Sequence, residues 1–269
     1  MILRRTVTMC AVVLAFSLVT VTAARAATSP AGAGRIRGID VSSYQHMGHT
    51  INWRLLAREG IKFVAIKVSE GTYYTNPYYA GDARAAAAAG LAVLPYVFAN
   101  PRRSPGAKTA RFAVAAAGYS RGTVRLPLEV DLEDDPYAAT DGTGNCYGLS
   151  VRRMIAWIAG FNAQAMALTG QPPIIYTAVD WWRQCTRDTT LFRQDPLWLA
   201  SYDTTRPAVP PPWTTWTFWQ YSDDAKVSGV GVTDVDYYQA TSALPALRPG
   251  SAKAASTSNP NQVSQHKHR

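Results

Sequence analysis

Histidine and cysteine are scarce in this 269-residue chain, and where they fall matters more than how many there are. The four histidines stand at positions 46, 49, 266 and 268, far from the few cysteines, so no His/Cys ligand cluster of the zinc type can be read. No G-x-S-x-G segment is present, which removes the serine-hydrolase elbow. The first internal apolar run is followed by VSSYQHMG, not by a glycine-rich phosphate loop, which argues against an open nucleotide-binding sheet. After the N-terminal run, no stretch is apolar for long enough to span a membrane.

What is present begins with Arg4 and Arg5, an apolar run, and a small-x-small close at Ala24, Arg25 and Ala26. This reads as a secretory signal peptide over residues 1–26, with an uncleaved anchor as the rival, followed by a short linker at 27–34. The formal charge of +9 falls to +3 for residues 27–248 once the signal and the tail are set aside. The high pI is therefore poor support for nucleic-acid binding, although a mildly basic exported protein is drawn to anionic surfaces. Residues 249–269 hold almost no large apolar side chains and are expected to be a disordered basic tail. Cys146 and Cys185 remain as an even pair in an exported chain and are expected to form a disulfide. No metal or cofactor is expected, no membrane association after signal removal, and a monomer outside the cell.

Between residues 35 and 248 no linker divides the chain, so one domain is expected. Short apolar runs predict eight strands at 35–42, 62–69, 91–99, 124–132, 173–177, 197–201, 217–222 and 232–238. Helices fit between the earlier runs: 53–60, 79–89, about 106–117, and the longest at 151–169, with Ser150 placed to cap its start and Gly170 its end. The alternation points to an α/β fold with a parallel sheet, and eight strands point to a closed barrel whose last third lacks outer helices.

In a barrel, loops at the C-terminal strand ends form the pocket. That rim gathers Asp40, Glu70, Asp131, Glu133, Asp234 and Asp236 from distant parts of the chain. In LPLEVDLEDDP, residues 126–136, Glu129, Asp131 and Glu133 alternate and should face one way. Crowded carboxyls suit glycosidic cleavage, in which one acid protonates the leaving oxygen while a carboxylate attends the cationic centre. Salt-bridged acids or a calcium site are the alternatives on spacing alone. Aromatic residues near strand ends, Tyr73 and Tyr74 among them, supply flat rings for sugar faces or simply fill the core.

These segments together resemble the glycoside hydrolase family 25 lysozymes of actinobacterial type. The resemblance rests on GIDVSSYQ, IKFVAIKVSEGTYYTNP, AAAAAGLAVLPYVFANP, LPLEVDLED, CYGLS, PPIIYTAVDWW, PLWLASYD, WQYSDD and GVGVTDVDYY, in order across residues 35–240. It implies an incomplete TIM-like (β/α)5(β)3 barrel and hydrolysis of the β-1,4 bond from N-acetylmuramic acid to N-acetylglucosamine in peptidoglycan. By motif, Glu133 matches the general acid, with Asp131, Asp40 and Asp234 as the other pocket acids. Tyr96, Tyr176, Lys67, Glu70, Trp198, Tyr202, Trp219 and Gln220 fall in segments that line the sugar groove. Two departures stand out: Val97 where the family often has His, and Glu129 where it usually has a small or apolar residue. Glu129 is expected to lie one layer below Asp131, neutral or paired with Lys67 or Arg125. A chitinase-like barrel and a wall-binding barrel without activity are the other readings.

Overall fold

The structure, a computed structural model, describes residues 34–118 and 126–239. The expected signal peptide, residues 27–33 of the linker, Arg125, residues 240–248 and the basic tail lie outside the described residues.

Eight strands close a ring: β1 (Arg35–Val41), β2 (Phe63–Glu70), β4 (Ala92–Phe98), β5 (Glu129–Leu132), β6 (Ile174–Ala178), β7 (Leu197–Ala200), β8 (Phe218–Val227) and β9 (Gly231–Gln239). A two-residue strand, β3 (Tyr74–Thr75), folds back on the end of β2. The helices are α1 (Trp53–Arg58), α2 (Tyr79–Ala88), α3 (Gly106–Ala116), the one-turn α4 (Ala138–Asp141), α5 (Val151–Thr169) and α6 (Val179–Thr186). Five strand-plus-helix units followed by three strands give the expected (β/α)5(β)3 architecture.

Strands β1, β2 and β4 through β8 are parallel around the ring, as the alternation suggested, whereas the closing strand β9 runs antiparallel to both β8 and β1. The cause is the short connection after β8: the chain turns at once through Gly229 and Gly231, both at positive φ, and a parallel crossover needs a dozen residues or more. The fifth strand starts at Glu129, not at residue 124. Pro127 just before it has no N–H to give the ladder. Helix α6 completes the fifth unit that the resemblance implies, in a connection whose own sequence left room for little helix; its VDWWRQCT sequence buries Trp181, Trp182 and Cys185. Ser150 stands at the start of α5 without a side-chain capping bond, while Gly170 ends the helix at φ 77°, as expected of a left-handed stop.

Alternation along the strands sorts four apolar clusters, one inside the barrel and three outside it. Phe63, Ala65, Leu94, Tyr96, Ile174, Tyr176, Trp198, Phe218 and Tyr238 fill the barrel. Val97, Val130 and Ile175 point outward beneath α3, α5 and α6, so residue 97 faces the helices and not the pocket. Ile39, Val64 and Ile66 point outward beneath α1 and α2. On β7 and β8, which no helix covers, Leu197, Leu199 and Trp219 are roofed by Trp213 and Trp216 from the loop between those strands. A disulfide joins Cys146, in the loop before α5, to Cys185 of α6. Closing its 39-residue span contributes roughly 4 kcal/mol on the chain-entropy account.

Candidate active site

A pocket of about 440 Å³ opens at the C-terminal ends of the parallel strands. Four strands, β1, β2, β5 and β9, supply its acids. Asp40 ends β1, and the antiparallel register sets Asp234 of β9 directly opposite it. Because β9 runs the other way, the earlier acid of its D-x-D pair reaches the rim, and Asp236 lies deeper, opposite Gly38. On β5 the alternation places Glu129 lowest, Asp131 above it and Glu133 just beyond the strand end. The rest of that acidic run does other work: buried Asp135 accepts Tyr137 N at 2.9 Å and Thr143 Oγ1 at 2.6 Å, fixing the loop that carries Tyr137 over the pocket.

Lys67 on β2 is the cation of this cluster. Its Nζ lies 4.8 Å from the Phe98 ring centroid and 5.6 Å from that of Tyr96, both inward on β4. After Lys67 the β2–β4 register shifts, and Glu70 emerges at the rim. There Glu70 accepts Tyr137 Oη at 3.0 Å and the Tyr73 hydroxyl, while Arg103 lies over both tyrosine rings. The one-turn 3-10 helix Ser43–His46, which follows β1, brings Tyr44 and Gln45 to the pocket lining.

A second network fixes the acids from the β8 side. Gln220 Oε1 accepts the hydroxyls of Tyr176 at 2.8 Å and Tyr202 at 2.5 Å. With its oxygen so occupied, its Nε2 points to Asp40 Oδ2 at 2.8 Å and Asp234 Oδ2 at 3.4 Å.

Burial dominates the protonation of the site. It pushes Glu133 up to about 7, with Lys67 opposing and Asp40 and Asp134 adding to the rise. Asp234 is pushed up to about 10 by burial and then by Asp40. Asp131 is raised well above the usual carboxylate range by burial, then by Glu133, and its Oδ1 is buried without a hydrogen-bond partner. Glu129 is raised by burial and then by Asp131, with Lys67 opposing; it forms no ion pair with Lys67, and Arg125 lies outside the described residues. Asp40 is raised by burial, with its hydrogen bond from Gln220 working against that. These groups share protons as a set, so the set and not each residue titrates.

Of the expected site residues, Asp40, Asp131, Glu133, Asp234, Lys67, Glu70, Tyr96, Tyr176, Trp198 and Gln220 line this pocket. Tyr202 stands behind Gln220 and acts through it. Trp219 is not in the pocket: next to inward Gln220 on β8, it points outward, donates to Ser201 O at 2.7 Å and packs among Trp216, Tyr221 and Tyr237. Sequence reasoning did not place Phe98, Gln45 or Tyr137 in the site. Phe98 has a readable signal, two residues after inward Tyr96 on one strand, whereas Tyr137 sits in a turn without periodicity.

Comparison with known proteins agrees with this geometry. A family model described as "Glycosyl hydrolases family 25" matches residues 39–230. "Lysozyme M1" of Streptomyces globisporus is 38% identical over 209 residues, 77% of this chain and 68% of that protein. The "N,O-diacetylmuramidase" of Arthroderma benhamiae is 36% identical over 221 residues, covering 79% and 91%. The crystal structure of a bacterial lysozyme from Streptomyces coelicolor superposes with a TM-score of 0.72 at 34% identity, covering 80% of this chain and 98% of that one.

Proposed function

The chain belongs to glycosyl hydrolases family 25, and from that membership and the pocket we propose that it is a secreted muramidase that hydrolyses the β-1,4 bond from N-acetylmuramic acid to N-acetylglucosamine in peptidoglycan. One observation carries the mechanism: Glu133, pushed up to about 7, stands at the rim just beyond the end of the strand that carries buried Asp131. A carboxyl titrating near neutrality is protonated often enough to give its proton to the glycosidic oxygen, and basic enough afterwards to take one from water. Asp131 or the substrate's own acetamide meets the positive charge that develops at the anomeric carbon. Asp40 and Asp234, tied together through Gln220, complete the acid wall. Tyr96, Tyr176, Lys67, Glu70 and Trp198 shape the groove, joined by Tyr44 and Tyr137 as flat faces for sugar rings.

The catalytic domain is assigned to residues 35–248, with a signal peptide at 1–26 and a basic tail at 249–269. Export is supported by the Cys146–Cys185 disulfide, since such bonds persist in oxidising compartments. The enzyme is taken to act as a monomer on the wall polymer.

The test is a gel containing peptidoglycan, in which wild type clears a band and Glu133→Gln clears none. Borohydride reduction of the wild-type products should convert muramic acid at the new reducing ends. Near wild-type clearing by Glu133→Gln would remove Glu133 from the acid role, and reduced glucosamine would identify a glucosaminidase.

A further inference from the structure

One part of the pocket wall is an element that the barrel does not bury. The 3-10 helix Ser43–His46 brings Tyr44 and Gln45 to the pocket lining, yet none of its four residues is buried and Tyr44 is 70% exposed. A single 3-10 turn has poor hydrogen-bond geometry and little stability of its own. Its cap is internal: Gln45 Oε1 accepts Ser42 N at 2.8 Å, and Ser42 Oγ accepts Tyr44 N at 3.2 Å. Those bonds set the shape of the turn but not where it sits. Side chains tie it to the strands, Tyr74 Oη donating to Ser43 Oγ at 2.9 Å and Gln45 Nε2 to Val232 O at 3.4 Å, the second bond long and exposed.

A further anchor is His46, the residue that ends the turn. Its ring lies parallel to that of Tyr78 with centroids 3.9 Å apart, and its Nε2 stands 2.7 Å from Asp82 Oδ2. An ionised carboxylate only accepts, so Nε2 carries the hydrogen. The two side chains are 12% and 8% exposed, so water competes little for this bond. Tyr78 and Asp82 are four residues apart at the start of α2 and share one face, which makes a slot of one flat wall and one acceptor. The slot is itself fixed, because Asn76 Oδ1 accepts Tyr78 N at 3.0 Å while Asn76 Nδ2 donates to Lys67 O at 2.8 Å. A continuous path therefore runs from the strand that carries Lys67, through the start of α2 and the imidazole, to the turn that bears Tyr44.

We propose that His46 is a positioning residue for glycan binding: seated in the Tyr78–Asp82 slot, it holds the exposed Tyr44 ring in place as a preformed face for a sugar. The proposed reaction has no step for His46, which is not among the residues that line the pocket. Its effect is on the cost of ordering, since a turn already fixed in the free enzyme loses less freedom when the ligand arrives. The proposal rests on the reading that the pocket binds wall glycan and that Tyr44 is one of its sugar faces.

His46→Ala empties the slot and Asp82→Ala removes its acceptor, whereas Asp82→Asn keeps an acceptor oxygen of the same shape. On soluble peptidoglycan fragments the two alanine variants are expected to raise KM roughly threefold to tenfold with the loss falling on KM and not on kcat, and Asp82→Asn should restore most of the affinity. Tyr44→Ala alone should raise KM at least as much. In that background His46→Ala should add no further rise in KM, although its cost in melting temperature persists. A role in stability alone predicts the same loss of affinity in either background. One readout needs no substrate: backbone hydrogen exchange over residues 42–47 of the free protein should quicken roughly tenfold or more in His46→Ala, while β5 keeps its rate. Unchanged exchange in that turn, an additive effect on KM, or a loss confined to kcat overturns the proposal by itself. Wild-type protein that neither cleaves nor binds the fragments would overturn the muramidase reading, and this inference with it.

Discussion

Glu133 illustrates how burial and one cation together set the titration of a carboxyl. Desolvation raises it, Lys67 restrains it, and the result near 7 suits the acid and base steps proposed for it. In the proposed reaction Glu133 starts protonated, so kcat/KM should fall as pH rises through about 7. Replacing Lys67 with Met removes the charge that favours the carboxylate, so the alkaline limb should move to higher pH whatever happens to substrate affinity. A pH–rate series on Lys67→Met checks this, and a limb displaced toward acid would mean that Lys67 is not what restrains Glu133. Such detail was only partly readable in the sequence. The alternation of Glu129, Asp131 and Glu133 followed from a period of two, but that period also forbids adjacent residues from facing one side. Trp219 and Gln220 are adjacent, so only one could line the groove, and resemblance by segment could not say which. Asp236 was grouped with the rim acids, but it lies one inward position deeper than Asp234, because its depth depends on the direction of β9, which residue types alone do not set.

The elements that hold these residues are fixed by contacts on the far side of the barrel wall. Helix α5 was readable in full, Val151–Thr169, because nineteen residues carry enough apolar repeats to reveal a face. Its buried stripe runs through Met154, Trp157, Ile158, Phe161 and Ala165. Helix α6 was implied by the resemblance but not by periodicity, since eight residues after a strand give the period little room. Helix α3 meets α5 at Gly106, where an added Cβ would stand 2.0 Å from Trp157 O. The close crossing also lets Trp157 Nε1 donate to Ser104 O at 2.6 Å, which anchors the loop bearing Arg103. Gly106→Ala forces the two helices apart, with an expected cost of about 1–3 kcal/mol or more. Denaturant unfolding would measure it, and a loss under about half a kcal/mol would show that the crossing is compliant.

Taken as one molecule, the protein stores unfavourable charge at its centre. Raised carboxyls bind more protons in the folded chain than in the unfolded one, so each costs stability as pH climbs above the unfolded values near 4. The loss continues through about 7 for Glu133 and toward 10 for Asp234. Melting temperature should therefore be highest in mild acid and decline toward alkaline pH, and the Glu133→Gln variant should decline less steeply. Equal slopes for the two proteins would sink the assignment of that cost to the pocket. Closing a ring has a different consequence. Arg35 pairs with Gln239 across the β1–β9 ladder, so the first and last strands of the barrel are neighbours. During synthesis β1 waits for a partner that emerges some two hundred residues later. Until then two strand edges stand open to other chains. The acid pocket, which sets Asp40 of β1 against Asp234 of β9, is thus complete only once the closing strand has joined the ring.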